Sequence, residues 1–150
     1  MNVDYNNAEH YPDPTAFEAI KNAGRERKPL HPKFYPMVYI CSPYSGDVER
    51  NVENARRFSR YAVEKGYIPI TPHLLFPQFL DDNDPDERAH GLLFGTILMD
   101  KCKEIWVFGE YISAGMKAEI DRAVQKRYAL RYFTSDCVEV QTEKKQTIKI

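Results

Sequence analysis

A glutamate inside a predicted helix is the side chain of this sequence best suited to nucleophilic chemistry. Ser113 is predicted to cap that helix, and Glu119 falls in its second turn. Gly115, in the first turn, costs about 0.5–1 kcal/mol relative to alanine. The cost makes sense if a ligand such as a phosphate approaches the backbone there, next to Met116. The alternative is that Glu119 is a carboxylate stabilised by the helix dipole alone.

Asp100 is the second candidate carboxylate for catalysis. Its predicted helix follows Asp84 as N-cap and carries one apolar face, formed by Ala89, Leu92, Leu93 and Thr96. We expect Asp100 to project into the middle of that face. An unpaired carboxylate there is costly, so it should be paired, hydrogen-bonded or beside a solvent-filled cleft. A capping role near the end of the helix is the equally weighted alternative.

Two segments that follow predicted strands supply polar and aromatic side chains for binding. The first is the loop Ser42-Pro43-Tyr44-Ser45-Gly46-Asp47, which joins a strand to a helix as phosphate- and ribose-binding loops do. Asp47 would repel an anion, which favours a sugar hydroxyl at that point. The second is His73, which lies directly after the second strand. The alternatives are an ordinary turn with an N-cap and a structural histidine.

The elements that must position these side chains alternate between strand and helix. Strands are predicted at 37–41, 67–71, 104–108 and 130–133, with helices between them. Such alternation indicates right-handed crossovers and a parallel sheet covered on both faces. Ligands then bind outside the carboxyl ends of the strands. The expected ligand-binding loops are 42–47, 71–84, 109–115 and 134–136.

The two ends of the chain differ from this pattern. Residues 1–36 contain five of the ten prolines and one short predicted helix, so they form an N-terminal extension. A helix that short must dock on the domain or on a partner subunit, because it is not stable alone. The α/β domain is predicted to span 37–136. The tail, 137–150, is a possible β-hairpin.

Composition excludes several classes of protein. The 150 residues include 21 Lys plus Arg and 22 Asp plus Glu, and this balance argues against binding to a nucleic-acid polymer. No apolar run approaches the ~18 residues of a membrane span, and the polar N-terminus is not a secretory signal. The three cysteines are predicted to be reduced thiols of a cytoplasmic protein. Neither a metal site nor a redox cofactor is indicated.

Three segments together resemble the nucleoside 2-deoxyribosyltransferase-like superfamily, specifically a branch found in phage and bacterial genomes. They are the segment VYICSPY at 38–44, the strand EIWVFG at 104–109 and the motif Ser113-x-Gly115-x-x-x-Glu119. The resemblance covers about 37–133. It implies a flavodoxin-like or Rossmann-like three-layer sandwich.

The resemblance also implies an activity. Members of the superfamily cleave the N-glycosidic bond of 2′-deoxynucleosides or their monophosphates through a glutamate nucleophile, which corresponds to Glu119. It further implies that Ser113 and Gly115 bind the 5′ end of the ligand. The residues implied to line the sugar–base pocket are Ser42, Tyr44 and Gly46.

One position departs from the superfamily pattern. Catalytic members carry an aspartate where Thr96 stands, and the nearest carboxylate here is Asp100, one turn later. Two functions therefore stay open: N-glycosidic cleavage or transfer, and binding of a nucleotide-derived ligand without turnover. The resemblance implies a homo-oligomer, a dimer or tetramer. Gly91 and Gly95 predict close approach of another backbone, such as that of a partner subunit.

Overall fold

The computed structural model describes residues 34–141. The predicted N-terminal helix and the second strand of the predicted tail hairpin lie outside those residues. The domain boundaries at 36 and 136 stay predictions.

Five short strands form one sheet. They are β1 Met37–Cys41, β2 Ile68–Ile70, β3 Glu104–Phe108, β4 Ala129–Phe133 and β5 Glu139–Val140. Their order is β2-β1-β3-β4-β5, with β5 antiparallel to β4 and the other pairs parallel. The order of the four parallel strands is the flavodoxin-like one. The predicted α/β fold with a mainly parallel sheet is confirmed.

Four helices connect the strands. They are α1 Val48–Glu64, α2 Pro72–Leu75, α3 Pro85–Asp100 and α4 Ala114–Lys126. The three longer helices begin at the predicted N-caps. Asp47 accepts from the amide of Arg50, Asp84 from that of Asp86, and Ser113 from that of Met116.

The segment 71–84 is more ordered than the predicted loop. It contains α2 and a single 3₁₀ turn, Phe76–Gln78. Each of these begins with a proline in its first two positions, where the missing N–H is not needed and φ is already suitable. The segment therefore presents fixed side chains to the ligand-binding edge of the sheet.

The two faces of the sheet carry different cores. Alternate residues of the strands point to opposite faces, so β1 places Val38 and Ile40 on one side and Tyr39 and Cys41 on the other. The first face packs against α1 and is dominated by aromatic rings. The second packs against α3 and α4, with Met99 and Met116 at its centre. Three layers result.

Candidate active site

A cavity of about 520 Å³ opens between α3 and α4 at the carboxyl ends of the strands. The loops after β1 and β3 diverge here, because α1 covers one face of the sheet while α4 covers the other. Divergence of this kind creates the crevice in which doubly wound sheets bind ligands. The cavity is therefore the first place to look for chemistry.

Most of the predicted site residues line this cavity. They are Ser42, Tyr44, His73, Ser113, Gly115, Met116 and Glu119. Three predicted residues do not line it. Pro43 lines a separate cavity of about 350 Å³ beside α1, Gly46 forms the loop turn with φ +95°, and Asp100 lies elsewhere.

Glu119 is held in the cavity wall by β1. The Tyr39 hydroxyl donates to Oε1 of Glu119 at 2.7 Å. Oε2 is buried and has no hydrogen-bond partner among the described residues. Burial raises the pKa of Glu119, while the neighbouring Cys41 thiol and the Tyr39 hydroxyl oppose the rise. One oxygen is thus anchored, and the other is buried without a hydrogen-bond partner in the described part of the chain.

Tyr39 is the functional residue that the sequence analysis did not single out. It stands in an apolar strand, which predicts a core position, and its side chain is indeed buried, at 2% exposure. Its alternation with Cys41 puts both side chains on the face that α4 covers. Burial, first, and then the nearby Glu119 raise the pKa of Tyr39, so its hydroxyl stays protonated and donates. The available signal was a tyrosine two residues before the end of a buried strand.

Ser42 is the second unsatisfied polar group of the site. It is 1% exposed, and its Oγ has no partner among the described residues. Within residues 34–141, Ser42 Oγ and Glu119 Oε2 are the two buried side-chain polar atoms without a hydrogen bond, and both residues line the same cavity. Buried polar groups are normally paired with protein or ordered water, so this unpaired couple marks the part of the cavity where a water or a ligand would be hydrogen-bonded.

Tyr44 and His73 form an aromatic platform on the cavity wall. Their rings stack with centroids 5.0 Å apart and an interplanar angle of 12°. Burial lowers the pKa of His73, against an opposing hydrogen bond with the Ser42 backbone. The imidazole is therefore neutral at neutral pH and presents an uncharged ring.

Asp100 does not reach the cavity. It is the last residue of α3, where its carboxylate accepts from Arg122 Nε at 3.2 Å, from Arg122 Nη2 at 2.7 Å and from the Tyr128 hydroxyl at 2.8 Å. The Arg122 and Tyr128 hydrogen bonds lower the pKa of Asp100. The expectation that Asp100 projects into an apolar face is wrong, because its side chain is exposed, whereas the expectation that its carboxylate is paired is confirmed.

Asp100 is exposed because of the rotation of α3 about its own axis. Leu92 and Leu93 are 64% and 53% exposed, while Gly95 and Met99 are buried. A Cβ at Gly95 would lie 3.5 Å from the Tyr39 hydroxyl and 3.7 Å from Pro72. The missing side chain at Gly95 thus leaves room beside Tyr39 within the same chain.

Thr96 also lines the cavity. Its hydroxyl donates to the Leu92 carbonyl at 3.0 Å. The position at which the resemblance implies an aspartate therefore faces the cavity, and it carries a hydroxyl that is already engaged.

A family model described as a domain of unknown function (DUF7768) matches residues 36–133, which is more than half of the chain. The chain belongs to this family. Among curated proteins, none matches the sequence. The DUF7768 match covers β1 through β4 and so includes every residue that lines the cavity.

A solved structure shares the fold. It is a 2-deoxyribosyltransferase from the psychrotolerant bacterium Bacillus psychrosaccharolyticus, with a TM-score of 0.58 and 10% sequence identity. The match covers 72% of this chain and 86% of that protein. At this identity the likeness establishes the α/β architecture.

Within residues 34–141, no three His, Cys, Asp or Glu side chains are grouped so that they could hold a metal ion. No helix in that range is long and apolar enough to cross a membrane.

Proposed function

We propose that this protein cleaves the N-glycosidic bond of a nucleoside or nucleotide, with Glu119 as the nucleophile. The observation that carries the proposal is the buried carboxylate whose Oε1 is anchored by Tyr39 and whose Oε2 is unpaired in a cavity. A desolvated, oriented carboxylate is suited to covalent attack on an anomeric carbon. The shared fold with a 2-deoxyribosyltransferase supports the choice of substrate class.

The reaction proceeds in two displacements. Glu119 Oε2 forms a bond to C1′ of the sugar, the C1′–N bond breaks, and its electron pair leaves with the base. The departing base takes a proton from solvent. Water or a second base then attacks C1′, which releases the sugar and restores the carboxylate, and the attacking group loses its proton to solvent.

The remaining cavity residues bind the two halves of the substrate. The Tyr44–His73 platform offers a flat uncharged surface for the base, since aromatic rings favour stacked partners. Ser42 Oγ is available to a sugar hydroxyl. The amides at the start of α4, after Ser113, suit the 5′ end, where a phosphate would be stabilised by the helix N-terminus.

The test is base release measured by chromatography. Purified protein is incubated with 2′-deoxynucleosides, ribonucleosides and their 5′-monophosphates, with and without a second free base. We expect base release by the wild type and a loss of at least about a thousandfold in Glu119→Gln. Asp121→Asn is the matched control, because Asp121 is an exposed carboxylate on the same helix. Equal base release by wild type and Glu119→Gln would refute the nucleophile.

The second candidate function is ligand binding without turnover. Thr96 favours it, because no carboxylate stands there to protonate a departing base. In this case the same ligands raise the melting temperature of the protein and are recovered intact. Base release by the wild type would exclude this alternative.

A further inference from the structure

The proposed function leaves four charged residues of the cavity unused, and Arg122 is the one that shares α4 with Glu119. Arg122 lies three residues after Glu119 on α4, so the two side chains share a helix face about 4.5 Å apart along the axis. Ser113 lies about 9 Å from Glu119 in the other direction. A ligand that reacts at Glu119 therefore reaches the start of α4 on one side and Arg122 on the other.

The guanidinium of Arg122 is fixed in orientation. Its Nε and Nη2 donate to the two oxygens of Asp100, which also accepts from the Tyr128 hydroxyl. A guanidinium carries five N–H groups in a planar fork. The Asp100 pairing uses the Nε–Nη2 side of the fork, so the Nη1–Nη2 edge keeps its donors for another group.

We propose that Arg122 selects ligands whose base presents two neighbouring acceptor atoms at this end of the cavity. This inference rests on the proposed function, and it names the base that the site prefers. A 6-oxopurine offers O6 and N7, with which a guanidinium forms a bidentate pair. A 6-aminopurine places an N–H donor at position 6, opposite the donors of Arg122. The site therefore prefers oxopurines to aminopurines.

A phosphate presents the same kind of acceptor pair. The start of α4 lies about 13 Å from Arg122 along the helix and offers its own amides to an anion. We therefore assign the base, rather than the phosphate, to Arg122. The experiment below separates the two.

The test compares 2′-deoxyinosine with 2′-deoxyadenosine, which differ at position 6 of the purine and in the hydrogen that inosine carries on N1. Binding is measured by titration calorimetry in the Glu119→Gln background, so that it does not depend on turnover. We expect 2′-deoxyinosine to bind about tenfold more tightly, as a bidentate contact allows. Both Arg122→Met and Arg122→Lys should lose this preference, since neither retains the planar fork.

Lys117→Gln is the matched control. Lys117 is an exposed cation on α4 that pairs with Asp121 and does not line the cavity, so its loss should leave the preference intact. Arg122→Lys keeps the charge beside the exposed Asp100, and it covers the case in which Arg122→Met fails to fold.

Three outcomes would overturn the inference. One is an equal preference for 2′-deoxyinosine in Arg122→Met and in the Glu119→Gln parent protein that lacks this second substitution. Another is the absence of any preference in the parent. The third is that Arg122→Met weakens only the binding of the 5′-monophosphates of the two nucleosides, which would assign Arg122 to phosphate.

Failure of this inference and failure of the proposed function are distinguishable. A preference that depends on Arg122, without base release by the wild type, sustains the inference and refutes cleavage. Base release by the wild type, with a preference for 2′-deoxyinosine that Arg122→Met leaves unaltered, sustains cleavage and refutes the inference about Arg122.

Discussion

The two faces of the sheet differ in how completely they are filled. On the α1 face, the rings of Phe58, Phe108 and Phe133 stack at centroid distances of 4.3 and 4.9 Å, and Trp106 Nε1 donates to Glu104 at 2.6 Å. On the other face, Gly95 contributes no side chain, and the buried carboxylate of Glu119 keeps one oxygen unpaired. Both faces bury apolar cores, but within residues 34–141 only the second also holds a buried carboxylate with an unpaired oxygen, which costs stability.

The largest expected loss of stability comes from removing an aromatic ring on the face of the sheet that α1 covers. Phe108→Ala removes a fully buried ring and should lower the free energy of unfolding by about 3–5 kcal/mol. Urea denaturation measures it, and Phe79→Ala serves as control, because Phe79 is 63% exposed. A loss below about 1 kcal/mol for Phe108→Ala would show that the aromatic layer is not the main source of stability.

The next effect tests the anchored carboxylate. Tyr39→Phe removes the donor to Glu119 and should destabilise the protein by about 1–3 kcal/mol, because a buried carboxyl oxygen loses its hydrogen-bond partner. In the Glu119→Gln background, Tyr39→Phe should lower the free energy of unfolding by a smaller amount. Equal costs in the two backgrounds, measured as a double-mutant cycle, would contradict the coupling.

The contribution of Glu119 to the stability of the fold depends on pH, and the direction of that dependence follows from its pKa. Burial raises the pKa of Glu119 in the folded state above its ordinary value of 4.5. A raised carboxyl pKa means that folding favours the protonated form, so this group's contribution to stability is present at low pH and is lost as pH rises through the folded pKa. Glu119→Gln should therefore gain stability relative to the wild type as pH rises through that window. A stability difference independent of pH between 4 and neutrality would refute the raised pKa.

The smallest effect tests the open space on the second face. Gly95→Ala should stabilise the protein by about 0.5–1 kcal/mol, since alanine favours a helix and its Cβ meets neighbours at ordinary contact distances. The same substitution narrows the cavity beside Tyr39, so ligand-induced stabilisation should decrease. Gly91→Ala controls for the gain in helix propensity, because Gly91 lies on the same helix and cavity wall but its Cβ would meet only the end of the Leu80 side chain, at 3.7 Å. Unchanged ligand binding in Gly95→Ala would place the ligand away from this helix.

The sequence by itself determined the local features. Apolar runs marked four of the strands, and Asp47, Asp84 and Ser113 marked the helix starts, because capping depends on a side chain and the amides two or three residues away. The order of strands and helices then located the carboxyl edge of the sheet, where Glu119 and His73 line one cavity.

Only the tertiary structure decided which side chains meet across the layers. Tyr39 was predicted only as part of a buried strand and Glu119 as a candidate nucleophile, yet these residues, 80 positions apart, form one hydrogen-bonded pair. Asp100 was expected in the site and instead pairs with Arg122, because packing of Gly95 against Tyr39 turns α3 and exposes its leucines. Helical periodicity fixes the relative angles of side chains on a helix, but the rotation of that helix against a sheet is set by the volumes that must fit beneath it.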